Sequence, residues 1–514
     1  MALNQRSLSR SNLVPMNGKT DTNKDESKKP DEPKEERIQT KHSVVIDGQR
    51  IHYTATAGTL LLKSEDGDAK ASIFYIAYTR DDVTDAGSRP LTFSFNGGPG
   101  SSSVWMHLGM LGPRIVQMGE NGAVPAPPYK LVDNPHSLLD VTDLVFIDPV
   151  STGFSRPVKG EKADQFHGYE QDIESVGEFI RLITTRMQRW SSPKFLIGES
   201  YGTTRAAGLA GHLQQRHGMV LNGALLISVI LNFQTARFVV GNDLPYILFL
   251  PTYTATAWYH RHLSAELQAQ PLRAVLDAVE AFALGDYSAA LMKGAALSAE
   301  EQSAVAAQLA HFTGLSQAYI ERSNLRLNIF RFTKELLRED RRTVGRIDSR
   351  FTGADRDAAG EMFEYDPSIS ATQGLYTATL NDYVRRELRF ESDLPYEILT
   401  GLYLKWDYSK HQNQYLNVAE TLRKTMSQNP YLKIFVANGY YDLATPYFAT
   451  EYTFNHLEIE PSLQQNIKMA WYEAGHMMYV HPPSLVQIKA DMAAFIQAAT
   501  DTEAKEPLGV LPIW

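Results

Sequence analysis

Apolar and polar positions alternate over residues 42–53 on either side of Asp47-Gly48, which predicts a hairpin of two strands. Residues 72–79 read as another strand. From residue 91 the rhythm changes: short apolar runs end in glycine-rich or acidic loops, and helical spacing follows each. Residues 91–95 run into Asn96-Gly97-Gly98-Pro99-Gly100, and residues 144–147 into Asp148-Pro149. Residues 195–197 run into Gly198-Glu199-Ser200-Tyr201-Gly202, and residues 224–229 end near Asn232. Strand-then-helix repetition predicts an α/β fold whose sheet is mostly parallel with flanking helices. In open sheets of this type, function gathers in loops at the carboxyl ends of the strands.

Residues 240–430 break that rhythm. They are rich in Ala, Leu, Glu and Arg at helical spacing, for instance over 265–284 and 298–312, and predict a large, mainly helical insertion over the sheet. The α/β pattern resumes at 432–437 and 468–472 and closes with an amphipathic helix over 484–498. The core is therefore expected from residues 41–239 and 431–514, with 240–430 as a cap. At the start, residues 19–37 hold 13 charges in 19 positions, and 17–37 contain no large apolar side chain. Such a segment cannot bury enough surface to offset its ordering entropy, so residues 1–40 are expected to form a disordered charged tail.

Composition narrows the chemistry. The 514 residues include no cysteine, which excludes disulfides, thiolate metal sites and a cysteine nucleophile. Fifty Lys and Arg against 59 Asp and Glu give a net charge of -9, the wrong sign for nucleic acid. No run approaches the roughly 18–20 apolar residues of a membrane span. The first residues lack the apolar stretch of about 7–15 residues of a signal peptide, so a cytoplasmic location is expected, or a periplasmic one if the start has been trimmed. No metal or cofactor is expected, since His260-x-His262 and His476…His481 lack an acidic partner at useful spacing. Oligomeric state leaves no mark in the sequence.

The segment Gly198-Glu199-Ser200-Tyr201-Gly202 fits the G-x-S-x-G nucleophile elbow, between a buried-strand pattern and a helical one over residues 203–213. A serine on such a turn needs an imidazole as base, and the imidazole needs an orienting carboxylate. Both follow in the order acid, then histidine: Asp442 just after one strand pattern, His476 just after the next. The long interval between Ser200 and Asp442 holds the helical insertion. His260, His262 and His311 fall within that insertion and read as surface or satisfied residues. An acyl-transfer site also needs oxyanion donors. The N–H of Tyr201, after the nucleophile, supplies one, and the glycine loop after residues 91–95 is placed to supply the other.

The blocks NGGPGSSS, DLVFIDPVSTGFS, GESYG, the Asp442 segment and AGHMMYVHPPS together resemble the serine carboxypeptidases, a branch of the α/β-hydrolase fold. The chain looks like a bacterial-type member without cysteines. The resemblance spans residues 91–235 and 430–499 and implies Ser200 as nucleophile, His476 as base and acid, and Asp442 as its orienter. It implies the amides of Gly98 and Tyr201 as the oxyanion hole. Asn96, Gly97 and Glu199 would bind the substrate, Asn96 and Glu199 at its terminal carboxylate. Two positions depart from the family's pattern: Ser94 stands where Trp is usual, and Ser101 where Cys is common.

Glu199 also has a physical case. An ionised carboxylate beside the nucleophile would repel a substrate carboxylate, whereas one kept protonated by burial can donate a hydrogen bond to it. The expected function is a serine-type carboxypeptidase that releases C-terminal residues through a Ser200 acyl-enzyme and is favoured at acidic pH. Its partner would be a peptide with a free terminal carboxylate. An esterase or acyltransferase with the same triad is the alternative, and a non-catalytic binding protein on a hydrolase fold stands further off.

Overall fold

The structure is a computed structural model and describes residues 34–501. Its main sheet contains β1 (Arg37–Ile46), β2 (Gln49–Lys63), β3 (Ala69–Arg80), β4 (Leu91–Phe95) and β5 (Asp143–Ile147). It continues with β6 (Lys194–Ser200), β7 (Gly223–Val229), β8 (Lys433–Gly439) and β9 (Ile467–Tyr472). The spatial order is β1-β2-β3-β5-β4-β6-β7-β8-β9, with the short strand Arg156–Pro157 beside β3.

From β5 to β9 every neighbouring pair is parallel, whereas β1, β2, β3 and β5 pair antiparallel. The sheet is thus mostly parallel, in five of its eight neighbouring pairs, with an antiparallel end formed by β1–β3. The reason is local: the Asp47-Gly48 turn, both residues at positive φ, folds β1 straight back on β2 without a crossover.

The expected tail lies outside the described residues up to residue 33, but its last part is not tail. β1 begins at Arg37, paired opposite Gly58, and the Glu35 carboxylate accepts from Leu61 N and pairs with Arg186. Backbone pairing orders this charged stretch without burying apolar side chains. Gly58 makes the approach possible, since a Cβ there would lie 2.4 Å from the Glu36 carbonyl oxygen.

Helices cover both faces. On one lie α1 (Tyr169–Arg186), α2 (Tyr201–His217) and α3 (Ala419–Gln428), over a core that includes Phe93, Phe95, Leu196 and Leu226. On the other lie the insertion helix Pro367–Arg386 and the closing helix Pro482–Thr500, over Ile197, Leu225, Trp105, Tyr376 and Tyr479. The side chains of successive strand residues thus serve opposite layers.

The insertion has its own core, built on the helices Leu244–Tyr259, Leu272–Phe282 and Ala299–Thr313 and joined to Tyr441, Leu443 and Tyr447 of the hydrolase core. The helix expected over 265–284 is broken at Pro271, which cannot donate to the preceding turn and stands as the N-cap of Leu272–Phe282. The helix expected over 298–312 forms as Ala299–Thr313, with a capping box between Ser298 and Glu301 and Gly314 at its end at φ 71°. Residues 387–418 hold only short helical turns and connect the insertion back to the core.

Candidate active site

Ser200 occupies the tip between β6 and α2 with φ 61° and ψ -130°, a conformation that costs a non-glycine residue strain. Such a turn holds because the neighbouring backbone is packed to contact. A Cβ on Gly198 would lie 2.0 Å from the Gly202 carbonyl oxygen, and one on Gly202 2.8 Å from the Phe95 carbonyl oxygen. Gly97 touches the same place: its Cβ would meet Tyr201 N at 2.5 Å and Gly202 N at 2.7 Å. The glycine loop after β4 therefore lies against the first turn of α2, whose N–H groups have no partner within the helix. Gly98 sits in this loop at φ 104°.

Asp442 and His476 follow β8 and β9, the next strands along the sheet after β7. His476 Nδ1 lies 2.7 Å from Asp442 Oδ2, with the pair buried. Asp442 Oδ1 accepts from Ala444 N and Thr445 N at 2.8 and 3.0 Å, and Thr445 Oγ1 donates to Oδ2 at 2.7 Å. These donors hold the Asp442 carboxylate in one orientation, and it in turn orients the imidazole through Nδ1. Burial disfavours the imidazolium, but the charge and hydrogen bond of Asp442 outweigh it and raise the His476 pKa. The described hydrogen bonds do not include one from Ser200 Oγ to His476, a link that commonly tightens only with substrate bound.

Glu199 is buried beside these groups. Its Oε1 accepts from Asn96 Nδ2 at 2.8 Å, while Oε2 has no partner. Burial pushes its carboxyl up to about 7, with the His476 charge and the bonds of neighbouring groups opposing and Asp442 adding to the rise. Asn96 is itself fixed: Oδ1 accepts from Met106 N, and its carbonyl accepts from Arg205 Nη1 at 2.6 Å. Arg205 is buried in α2, pairs with Asp172 of α1 at 2.8 Å and lies over the rings of Phe95 and Tyr201.

Three features were not singled out in the sequence. The insertion strand-turn at residues 346–349 braces both catalytic loops: Arg346 O accepts from Leu443 N, Ile347 O from His476 N, and Ser349 N and Oγ donate to Tyr441 O. Residues 398–406 cover the glycine loop, with Thr400 N donating to Gly100 O and Trp406 Nε1 to the Tyr201 hydroxyl. Tyr479, three residues after His476, is buried near Glu199. The first two meet the site only through tertiary contact, which no local spacing announces. Tyr479 lies inside a motif block, and its spacing from His476 was its one sequence signal.

His260 Nε2 donates to the Ser349 carbonyl at 2.7 Å, and His260 is a structural residue of the insertion. A cavity of about 560 Å³ lined by Trp190, Lys194 and Tyr431 opens at the amino ends of β6 and β8 and contains none of the triad.

A nucleophile elbow, an acid and a histidine on successive strand ends of a sheet with parallel β5–β9 define an α/β-hydrolase. The serine carboxypeptidase family model matches residues 56–482, and the chain belongs to that family. A segment of 126 residues is 35% identical to the pheromone-processing carboxypeptidase KEX1 of Saccharomyces cerevisiae, covering 23% of this chain but only 16% of that protein. The crystal structure of the yeast prohormone-processing carboxypeptidase KEX1 superposes with a TM-score of 0.54 at 18% identity, over 87% of this chain and 91% of the other. That likeness is one of fold.

Proposed function

We propose that this protein is a serine-type carboxypeptidase that removes the last residue of a peptide. Ser200 Oγ attacks the carbonyl carbon of the final peptide bond while its proton passes to His476 Nε2, and the amides of Gly98 and Tyr201 hold the oxyanion. His476 then gives that proton to the departing amine, and a free amino acid leaves. Water, activated by the same imidazole, attacks the acyl-Ser200 ester and returns the enzyme.

The observation that carries exopeptidase rather than simple ester chemistry is Glu199. A buried carboxyl beside the nucleophile, raised to about 7 and bonded to Asn96, is suited to receive an anion as a protonated donor. The same group explains a preference for acidic pH, because its ionisation would set two negative charges together. Ser94 in place of the usual Trp favours the rival esterase or acyltransferase reading, since one expected carboxylate contact is missing.

The two readings separate on a matched pair of N-blocked dipeptides, one ending in a free acid and one in an amide. Cleavage of the acid at least about tenfold faster in kcat/KM, a difference of roughly 1.4 kcal/mol, supports the carboxypeptidase. Turnover of simple esters with neither peptide cleaved would contradict it. We further propose that the chain, which carries no cysteine, works in a reducing compartment such as the cytoplasm, where it has no disulfide to lose.

A further inference from the structure

Two buried polar atoms beside the nucleophile, Oε2 of Glu199 and the hydroxyl of Tyr479, make no well-formed hydrogen bond, although they lie close enough to interact with one another. The side chains are 4% and 2% exposed, so bulk water does not serve them. They are neighbours, each acting on the protonation of the other, and Asn96 touches both. Tyr479 reaches this place from the turn Met478–Val480, directly after the catalytic histidine. Gly109 makes room for it, since a Cβ there would lie 2.4 Å from Tyr479 Cε2 and 2.7 Å from the Tyr376 hydroxyl.

A third unpaired hydroxyl belongs to Ser94. Phe93 and Phe95 pack into the α1 and α2 layer, so strand alternation turns Ser94 toward the opposite layer. Trp105, Tyr376 and Tyr479 fill that layer. Leaving a buried hydroxyl unbonded costs about 1–3 kcal/mol, and phenylalanine would fill the same volume without that cost. A hydroxyl kept there is accounted for by a partner that arrives with the substrate.

We propose that the Tyr479 hydroxyl donates a hydrogen bond to the terminal carboxylate of the bound peptide, beside Asn96 Nδ2 and protonated Glu199 Oε2. The proposal rests on the carboxypeptidase reading and extends it. The donor that a residue at position 94 does not provide comes instead from the other wall of the site. Carboxylate recognition is thereby placed on the same short turn as the base, so the group that identifies a chain end and the group that protonates the leaving amine move together. Burial keeps Tyr479 a neutral O–H donor across the working pH range.

The test is Tyr479→Phe on the full chain, which keeps the ring and removes only the hydroxyl, assayed with the acid-ended dipeptide and a simple ester. The expected result is a KM for the acid raised on the order of tenfold or more, the size of a lost hydrogen bond to a charged group. The ester should be turned over as by wild type, which also shows that the variant is folded. An unchanged KM for the acid overturns the proposal. So does an equal loss on both substrates, which marks a structural role, or a shifted pH profile with the acid's KM preserved, which marks an action on Glu199 alone. If wild type itself shows no preference for the free acid over the amide, the carboxypeptidase reading fails and this one with it. If wild type prefers the acid and Tyr479→Phe keeps that preference intact, only the assignment of Tyr479 fails.

Discussion

At the scale of the residue, catalysis here depends on fixed protonation states. Asp442 takes three donors besides His476, so its carboxylate is held in one orientation and presents Oδ2 to His476 Nδ1. Replacing it by Asn leaves a side chain whose amide can donate to Nδ1 and stabilise the wrong tautomer. Asp442→Asn should lower kcat for the acid-ended dipeptide on the order of 10³–10⁴-fold with KM little changed. A loss under tenfold would show that the carboxylate does not orient the base. The Ser200 turn and the Asp442–His476 pair were legible because such chemistry is tied to strand ends and to an order along the chain. Tyr479 was not, because a tyrosine in an apolar stretch reads as core until its hydroxyl is found without a partner. His107 is the converse: buried, held down to about 3 by burial and bonded to Tyr78 at 2.7 Å, it is structural.

Elements set the distances between these groups. β6, β8 and β9 deliver Ser200, Asp442 and His476 to one edge of the sheet, and the strand ends were readable from apolar runs bounded by glycine and acidic loops. The insertion's contribution was not readable, because a cap meets the core only in three dimensions. Its residues 346–349 tie the Asp442 loop to the His476 loop. Ser349 is the central tie, with Oγ 3.0 Å from Tyr441 O and 2.7 Å from Thr256 Oγ1. Ser349→Ala should lower stability by about 1–2 kcal/mol, seen as a fall in denaturant midpoint, and reduce kcat several-fold through looser catalytic loops. Unchanged kcat beside the lower midpoint would make the insertion a cover with no hold on the triad. The break at Pro271 and the antiparallel pairing of β3 were missed for a related reason: helical spacing continues through a proline, and alternation does not reveal strand direction.

For the whole molecule, buried titratable groups give stability a maximum in pH. Glu199 and Glu451 are both raised to about 7, largely by burial. A carboxyl raised in the folded state contributes stability that is fully present below its unfolded pKa of about 4.5 and is lost as pH climbs toward 7. His107 works in the other direction. Its folded pKa lies near 3, so the folded state resists a proton that the unfolded chain takes up below about 6.5, and stability falls with acid there. With two carboxyls opposing one histidine, the melting temperature should therefore peak at roughly pH 4.5–5 and fall toward pH 7, with Glu199→Gln making the limb above the peak shallower. A melting temperature that keeps rising to pH 8 would show that these carboxyls are not held protonated. The fold class was legible over most of the chain, yet these opposed titrations were not, since they depend on which side chains the packing buries.

The central claim is that Glu199 receives the substrate's carboxylate as a protonated donor. The most direct measurement is KM for an N-blocked, acid-ended dipeptide from about pH 4 to 8, for wild type beside Glu199→Gln. The wild-type KM should climb as pH passes about 7, where Glu199 ionises, while the Gln variant, unable to ionise, should hold a flat KM over the same range. A climb of equal size in both proteins would place the titration elsewhere and remove Glu199 from carboxylate recognition.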